Sequence, residues 1–318
     1  MNILIIGGTR FQGLYLTDKL IQLGHTVTVF HRGIHKPNLP LKISEIIGDR
    51  DKENDLAQLS NLKFDACIDT CAYFPNQVTK LGKFLKISNY CLISSVAVYK
   101  SLYDISNEKS PLVDPCENSN PTREDQFLRN YGRLKVQCER EAINLFGDGT
   151  LIIRPSAIVG IGDHTKRLLF WLRLVGLHRV KLDFRDYQPQ IQLVDVEDLA
   201  DFTIKCIEKR RFGPVNVCGD PIYISELLGL IALISGKKTE QKSINFRDRL
   251  AVGLENLPFF ENWQPNTYSN QLAKNWGLIL SELSLKIYTI FTNAETEGFE
   301  SIKFQDEERR ILSLPSAH

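Results

Sequence analysis

Short apolar runs alternate with helical patterns through the first half of the sequence, and no other feature constrains the fold as strongly. The first run, Ile3 to Ile6, ends in two glycines, and an amphipathic pattern then continues until Gly24. Repeated strand, helix and strand units place successive strands parallel in one sheet, with helices on both of its faces. The sequence therefore predicts an α/β fold built on a doubly wound parallel sheet. The further strands that we predict are 26–30, 43–47, 67–70, 90–94 and 151–153, with helices near 53–60, 76–86 and 124–146 between them.

The alternation weakens after residue 155. Residues 191–194 and 215–217 still resemble strands of the sheet, with a helix over 196–209 between them, whereas 223–235 and 281–312 are mostly helical in pattern. The domains that this organisation predicts are residues 1–160, completed by elements within 190–220, and a smaller, mostly helical C-terminal lobe at 161–318, made mainly of 161–190 and 221–318.

Composition and charge narrow the class of protein and of partner. The 318 residues are 43% hydrophobic and 24% charged, which is typical of a globular chain rather than a disordered one. The net charge is +1, so no overall basic field favours a nucleic acid or an anionic membrane as partner. No apolar stretch approaches the ~20 residues of a membrane span, and the N-terminus reads as a strand rather than a signal peptide. We therefore expect a cytoplasmic protein.

The pattern of cysteines and histidines does not predict a metal site. The seven cysteines are scattered and lack the paired spacing of zinc ligands, so we expect reduced thiols. His31 and His35 have a metal-like spacing, but Gly33 between them argues against a helix, and no carboxylate completes a ligand set.

A glycine-containing turn follows the first predicted strand and opens the first predicted helix. In such a turn, backbone N–H groups and the helix dipole can hold a pyrophosphate, and glycines permit the close approach. The middle position of the Gly-x-x-Gly-x-x-Gly spacing is Arg10, whose side chain must point away from the phosphates if the loop keeps its shape. An ordinary tight turn between strand and helix is the alternative. The predicted cofactor-binding residues here are Gly7, Thr9, Arg10, Phe11, Gln12 and Gly13.

The second predicted strand ends without the carboxylate that an NAD site offers to the ribose 2′-hydroxyl. Arg32 stands there instead, and with Arg10 it could pair with a 2′-phosphate, which favours NADP over NAD as the cofactor. The alternative is that both arginines are solvated surface charges. Asp49, just after the third predicted strand, is placed to meet the adenine, or to cap the helix that follows.

A serine, a tyrosine and a lysine follow in the order that a carbonyl or alcohol redox site requires. Ser95 ends a predicted strand, and Tyr131 and Lys135 lie one turn apart on one helix face. A nearby ammonium lowers the pKa of a phenol, which makes it a usable proton donor or acceptor. Tyr15 and Lys19 repeat the same spacing, but no serine-bearing strand end precedes them. We interpret this second copy as a packing tyrosine and a surface lysine.

These segments together resemble the short-chain dehydrogenase/reductase superfamily, in its extended branch of NAD(P)-dependent sugar-nucleotide epimerases and dehydratases with a Rossmann fold. The turn beginning Gly-Gly-Thr-Arg-Phe looks like an atypical subgroup of that branch. The resemblance covers roughly residues 1–220. The matching segments are 7–13, Gly48-Asp49, Ser94 to Tyr99, Tyr131 to Lys135 with Glu139, Ile153 to Pro155 through Gly162-Asp163, and Leu193 to Ala200.

The resemblance implies a role for each matching residue. Ser95 would hydrogen-bond the substrate, Tyr131 would be the catalytic acid/base, Lys135 would bind the nicotinamide ribose, and Pro155 would bring backbone near the nicotinamide. Two departures are Arg10 in place of a glycine and a short span from 69 to 95, which removes part of the usual substrate wall.

The activity implied is hydride transfer at a hydroxyl or carbonyl carbon, with a nucleotide sugar as substrate and a homodimer as the assembly. One alternative is an NADPH-dependent reductase of a small carbonyl compound, and another is a non-catalytic NADP- or RNA-binding relative. Arg167 could hold a substrate phosphate, or could pair with Asp163 at i, i+4 on an exposed helix.

Overall fold

The computed structural model describes residues 1–35, 43–100, 105–117, 124–254, 257–260, 267–299 and 305–314. The strands in chain order are β1 (Asn2–Ile6), β2 (Thr26–His31), β3 (Ile43–Ile47), β4 (Ala66–Asp69), β5 (Tyr90–Ile93), β6 (Ile105–Ser106), β7 (Thr150–Pro155), β8 (Ala157–Val159), β9 (Val180–Phe184), β10 (Gln190–Ile191), β11 (Leu193–Asp195), β12 (Gly213–Val217), β13 (Ile222–Tyr223), β14 (Glu240–Ile244) and β15 (Thr267–Tyr268). The helices are α1 (Gln12–Gln22), α2 (Glu53–Leu56), α3 (Pro75–Phe84), α4 (Glu124–Phe146), α5 (Arg167–Leu172), α6 (Val196–Glu208), α7 (Ile224–Ser235), α8 (Gln271–Trp276), α9 (Leu283–Glu297) and α10 (Gln305–Ser313).

Seven parallel strands form the large sheet, in the order β12-β7-β5-β4-β1-β2-β3. The predicted doubly wound α/β fold is therefore confirmed. The central strands are buried along almost their whole length, which explains why they read as continuous apolar runs. The strand order reverses between β1 and β4, and in such sheets ligands bind outside the carboxyl ends of the strands at this point.

Two compact units divide the chain. The first comprises Met1–Ser156, Val196–Cys218 and Tyr268–Ile279, and the second comprises Ala157–Asp195, Gly219–Thr267 and Leu280–His318. Residues 191–194, which we predicted as a strand of the large sheet, instead fall in β10 and β11 of the second unit. β11 pairs with β8 in a separate two-stranded parallel ladder.

Aromatic side chains fill the core of the second unit. Trp171 meets Phe170 and Phe260 edge to face, at centroid distances of 4.8 and 6.4 Å. Helices α7 and α9 pack together beside this core, in keeping with the helical C-terminal portion that we predicted. The sequence analysis did not single out β9 and β14, which form a two-stranded parallel sheet here.

Two kinds of feature are absent from the described residues. No helix among them is long and apolar enough to cross a membrane. In the same part of the chain, no three His, Cys, Asp or Glu side chains are grouped so that they could hold a metal ion. All seven cysteines lie within the described ranges, and each is a free thiol.

Candidate active site

The glycine turn lies at the carboxyl end of β1, beside the point where the strand order reverses. Gly7 has a φ of +90°, and a Cβ there would lie 2.7 Å from Cys71 Sγ. A Cβ on Gly13 would lie 2.7 Å from the carbonyl oxygen of Gly7. Side chains are therefore excluded where the backbone must fold back on itself.

Arg10 and Phe11 give this turn its particular shape. The Arg10 carbonyl accepts a hydrogen bond from Gly13 N at 2.9 Å, while the Arg10 side chain is exposed. Phe11 is buried and adopts a φ of +39°, which is strained for a bulky residue and is typical of ligand-binding turns. Thr9 is buried, and Gln12 donates from Nε2 to the Thr70 carbonyl at 3.3 Å. The six predicted residues therefore lie in the turn after β1 and at the first two positions of α1.

At the carboxyl end of β2, a histidine is paired and an arginine is exposed. His31 Nδ1 accepts from Gly33 N at 3.1 Å, which assigns the proton to Nε2 and lets it donate to Glu45 at 2.8 Å. The carboxylate of Glu45 is therefore hydrogen-bonded to the His31 side chain. Arg32 is exposed, and within the described residues its guanidinium forms no ion pair or hydrogen bond. It is placed at this strand end, as the sequence predicted.

Asp49 organises the turn after β3. Its Oδ1 accepts from Asp51 N at 3.0 Å, and its own N–H donates to Asp55 Oδ2 at 2.8 Å. The N-cap of α2 is Lys52, so Asp49 does not cap that helix as the alternative reading proposed. The Asp49 side chain is partly buried. Its contact with the adenine of a bound dinucleotide stays a prediction.

A buried ion pair joins the ends of β3 and β4, and the sequence analysis missed it. Arg50 donates to both carboxylate oxygens of Asp69, at 2.6 and 2.8 Å, and Tyr90 donates to Asp69 at 2.8 Å. Burial alone would raise the pKa of Asp69, but Arg50, Tyr90 and the Cys71 N–H together lower it below its ordinary value. Aspartate at the end of the apolar run Ala66 to Ile68 was the one signal available in the sequence.

Lys135 is buried in α4, with 2% of its surface exposed, and its ammonium is hydrogen-bonded to two backbone carbonyls. Nζ donates to the carbonyl of Ala72 at 2.8 Å and to the carbonyl of Ile93 at 2.7 Å. Ala72 follows β4, and Ile93 ends β5. Since an ammonium has three donors, one N–H remains after these two bonds. A buried positive charge is therefore held one helical turn from Tyr131.

Gly132 allows the helix to approach the turn that carries Ser95. A Cβ on Gly132 would overlap the carbonyl oxygen of Ala97, so only glycine permits this contact. Ser95 precedes the short turn Val96–Val98, and its Oγ accepts from Ala97 N at 3.2 Å. The structure thus brings the serine turn against α4 directly beside Tyr131. A glycine inside a helical pattern was the signal that could have predicted this contact.

Tyr131 is partly buried, and it packs against one member of a group of aromatic rings. Phe127, one turn earlier on α4, meets it edge to face at 5.8 Å. Phe127 also meets Tyr73 at 5.9 Å and Phe74 at 5.7 Å, both in the segment between β4 and α3. The Lys135 ammonium lies 5.7 Å from the centroid of the Tyr73 ring. The sequence analysis missed this group, because its members come from separate parts of the chain.

Next to the candidate catalytic residues Ser95, Tyr131 and Lys135, a buried polar network fixes α4 to the sheet. Glu139 accepts from Ser94 Oγ at 2.5 Å and from Arg154 at 2.6 and 3.0 Å. Arg154 also donates to the Tyr99 hydroxyl at 2.8 Å, and burial raises the pKa of Tyr99 to about 12. Pro155 ends β7 next to Arg154 and is buried. The strand end that would bring backbone near a nicotinamide is therefore held in place by side chains.

Arg167 does not lie on one helix face with Asp163, and that part of the prediction is wrong. Lys166 has a left-handed backbone with a φ of +56°, so α5 begins only at Arg167. Asp163 accepts from Thr165 Oγ1 at 2.7 Å, and Arg167 Nε donates to that same hydroxyl at 3.2 Å. Phe259 lies 5.6 Å below the guanidinium. A threonine therefore stands between the two charges that the i, i+4 spacing paired.

The residues of the first unit fit a dinucleotide. The turn of Gly7, Gly8 and Gly13 has no room for a Cβ at any of the three positions, and it connects β1 to the first turn of α1, which is where dinucleotide sites of this kind hold the pyrophosphate. Arg32 provides a cation at the end of β2, and Lys135 keeps one N–H for a ribose hydroxyl. The fit rests on the shape of this backbone and on the donors beside it.

A family model supplies the comparison that decides the class. The model for the NAD dependent epimerase/dehydratase family matches residues 3–218. The chain belongs to this family. The resemblance that we described from the sequence motifs is thereby confirmed, and with it the membership of a family of NAD(P)-dependent enzymes. The match ends at residue 218, directly after β12, the last strand of the large sheet in chain order.

Solved structures share the fold of this family member at low identity. A UDP-glucose 4-epimerase is 16% identical, with a TM-score of 0.72 over 95% of this chain and 100% of that one. A dTDP-glucose 4,6-dehydratase from Bacillus anthracis, in complex with NAD, is 15% identical, with a TM-score of 0.69 over 93% and 97%. A UDP-glucuronic acid 4-epimerase from Bacillus cereus, also in complex with NAD, is 16% identical, with a TM-score of 0.68 over 95% and 99%. These likenesses show the fold.

One curated relative is named for binding a stem-loop and not for an enzyme activity. It is the chloroplast stem-loop binding protein of 41 kDa b from Arabidopsis thaliana, which is 34% identical over 267 residues. The match covers 78% of this epimerase/dehydratase family member and 66% of the relative, so the chain spans just under two thirds of the length of that protein.

Proposed function

We propose that this family member is an NADP(H)-dependent oxidoreductase that acts at a hydroxyl or carbonyl carbon of a nucleotide sugar. One observation carries the proposal: a lysine ammonium, 2% exposed and bonded to the carbonyls that follow β4 and end β5, lies one helical turn from a partly exposed tyrosine. A charge buried at such cost is typical of a site where it stabilises another charge.

The side chains divide the proton chemistry between them. The charge of Lys135 favours the phenolate form of Tyr131, so that oxygen can accept the proton of a substrate alcohol as it becomes a carbonyl, and return it in reverse. Ser95 already accepts a hydrogen bond from Ala97 N, so its own hydroxyl hydrogen is directed to another acceptor, such as the substrate oxygen. The nicotinamide, when bound, accepts or supplies the hydride. Arg167 is the residue that we propose for a phosphate of the substrate.

The preference for NADP rests on the end of β2. Arg32 is exposed there, Arg10 is exposed on the neighbouring turn, and the carboxylate of Glu45 is engaged by His31. A guanidinium pairs with a phosphate in a bidentate manner, whereas an NAD site needs a carboxylate for the ribose hydroxyls. We therefore expect Arg32→Asp to weaken NADPH binding about 10-fold or more and to leave NADH binding unchanged or improved.

Identification of the dinucleotide released from the denatured purified protein, by mass spectrometry, tests the proposal. NADP carried through purification, together with interconversion of UDP-glucose and UDP-galactose without added cofactor, supports the epimerase form. Protein without cofactor that oxidises NADPH in the presence of a small carbonyl compound supports the reductase form. If the protein neither carries nor binds either dinucleotide, the proposal is wrong.

Binding of a nucleic-acid stem-loop is a second candidate function, favoured by the name of the curated relative. The chain carries Lys209, Arg210 and Arg211 in succession after α6, all exposed, and the Arg211 guanidinium lies 5.7 Å from the centroid of the Trp276 ring. A basic group beside an aromatic ring suits phosphates and unstacked bases. Filter retention of a labelled RNA stem-loop that falls with rising salt, and that the double variant Arg210→Glu, Arg211→Glu abolishes, supports this function.

A further inference from the structure

The segment between β4 and α3 is held in one backbone conformation. The Ala72 carbonyl accepts from Lys135 Nζ at 2.8 Å, and the N–H groups of Tyr73 and Phe74 both donate to Gln77 Oε1, at 2.9 and 3.2 Å. Gln77 is 5% exposed, and its amide nitrogen donates to the carboxylate of Asp51. The position of Tyr73 is therefore fixed from both sides, and its ring is displayed by a rigid backbone.

Tyr73 nevertheless remains 40% exposed. Its contacts are the edge of Phe127 at 5.9 Å and the Lys135 ammonium at 5.7 Å from the ring centroid. Full burial of a large side chain is worth about 1.5–3 kcal/mol, so a rigidly displayed ring leaves apolar surface for another group to cover. Because Lys135 belongs to the candidate site, this contact places the Tyr73 ring at that site.

The segment that carries Tyr73 reaches both ends of that site. Cys71, two residues before Tyr73, lies against the glycine turn, since a Cβ on Gly7 would lie 2.7 Å from its Sγ, and the Tyr73 ring centroid lies 5.7 Å from Lys135 Nζ on α4. The glycine turn is the place for the pyrophosphate, and Lys135 is the place for the nicotinamide ribose. Tyr73 therefore lies between the groups that would hold these two parts of a dinucleotide.

We propose that Tyr73 contacts the bound dinucleotide between its pyrophosphate and its nicotinamide ribose, and this inference rests on the proposed function. The phenolic O–H donates to a phosphate or ribose oxygen there, and the ring covers the apolar edge of the ribose. Tyr73 is thus a positioning residue for the nicotinamide half of the cofactor. The adenine half, with its 2′-phosphate near Arg32, binds without help from this ring.

Two ligands separate the halves of the cofactor in a direct test. NADPH and adenosine 2′,5′-bisphosphate, which lacks the nicotinamide half, are titrated against the wild type and against Tyr73→Phe, Tyr73→Ala and the control Tyr288→Ala. Tyr288 lies in α9 of the second unit and is 54% exposed. We expect Tyr73→Phe to weaken NADPH binding about 3- to 10-fold, as for one lost hydrogen bond, and Tyr73→Ala to weaken it about 10-fold or more. Binding of the bisphosphate should stay within about twofold for every variant.

Each outcome decides the matter. If the wild type binds NADPH and Tyr73→Ala binds it equally tightly, this inference is wrong and the proposed function stands. If Tyr73→Ala weakens both ligands to the same extent, the ring has a structural role and the inference is overturned. If the wild type binds neither ligand, the proposed function fails and the inference fails with it.

Discussion

Two helices of the first unit carry the same Tyr-x-x-x-Lys spacing in different surroundings. In α1, Lys19 reaches an exposed carboxylate, with Nζ 2.8 Å from Asp201 and 39% of the lysine side chain exposed. In α4, Lys135 is 2% exposed and donates to two backbone carbonyls at strand ends. Only the second copy places a positive charge where water does not screen it.

The difference shows that spacing alone does not make a proton-transfer site. Helix α1 packs against α6, and its lysine lies at the surface of that contact. Helix α4 approaches the Ser95 turn because Gly132 has no Cβ, so its tyrosine meets a serine and a buried ammonium together. Tertiary contacts therefore decide which copy can carry chemistry, in agreement with our interpretation of Lys19 as a surface lysine.

The largest contrast is expected from removing each hydroxyl in turn. Tyr131→Phe removes the group that we propose for proton transfer, and general acid/base catalysis contributes about 10²- to 10⁴-fold to rate. We expect that loss in kcat for Tyr131→Phe and a change within about twofold for Tyr15→Phe, with dinucleotide binding retained by both variants. Steady-state turnover with NADPH or a nucleotide sugar measures it. Full activity of the Tyr131 variant would remove the distinction between the two helices.

A second contrast concerns the acidic residues of the same unit. Asp69 is buried with Arg50, so Asp69→Asn leaves an unpaired buried cation and should lower the free energy of unfolding by about 3–5 kcal/mol. Asp201→Asn breaks only the exposed pair with Lys19 and should cost about 1 kcal/mol or less. Urea unfolding of each variant at neutral pH gives both values. Equal losses would show that the two pairs are equivalent.

The loss of unfolding free energy at low pH gives an independent check on the lowered pKa of Asp69. Because its pKa is lowered in the folded chain, its contribution is fully present above the unfolded pKa of about 3.9 and is lost as the pH falls through the folded value. The difference in unfolding free energy between the wild type and Asp69→Asn should therefore shrink below about pH 4. A difference that stays constant through this range would contradict a lowered pKa.

Local patterns were sufficient to predict the large sheet, because its strands are buried runs that differ sharply from their flanks. Ile3 to Ile6 and the glycines after it needed no partner to be recognised, and the predicted ends of β2, β4, β5 and β7 fall within a few residues of the observed ones. Residues 191–194 were misassigned since β10 and β11 are short, and their pairing depends on β13 and β8.

The candidate site was only partly predictable for the same physical reason. Tyr131 and Lys135 share one helix, so their spacing is local. Arg50 with Asp69, and Tyr73 with Phe127, are contacts between distant segments, and no periodicity relates their members. Conversely, the helix face that we predicted for Asp163 and Arg167 does not form, because one left-handed residue, Lys166, precedes α5 and separates them.

Replacing each lysine by methionine compares the two ammonium groups directly. Lys135→Met removes the donor from two buried carbonyls, which should cost roughly 2–3 kcal/mol of stability, and it also removes the charge beside Tyr131. Lys19→Met should cost about 1 kcal/mol or less. In the Lys135 variant, the pH at which kcat rises should move upwards, because the phenol loses its cationic neighbour. A pH profile that is the same for both variants would refute this role of the charge.

The smallest effect tests the glycine that allows the close approach of α4. Gly132→Ala places a methyl group against the Ala97 carbonyl, so the helix must shift and the variant should lose about 1–3 kcal/mol of stability together with activity. Gly229→Ala, in the middle of α7 with open space around the new methyl, should instead gain up to about 1 kcal/mol through helix propensity. Thermal unfolding compares the two, and kcat reports the shift of Tyr131. Because alanine favours a helix at both positions, a loss of stability confined to Gly132→Ala measures the contact with the Ala97 carbonyl and not helix propensity. A gain of stability in both variants would mean that the Ser95 turn moves freely and does not set the position of Tyr131.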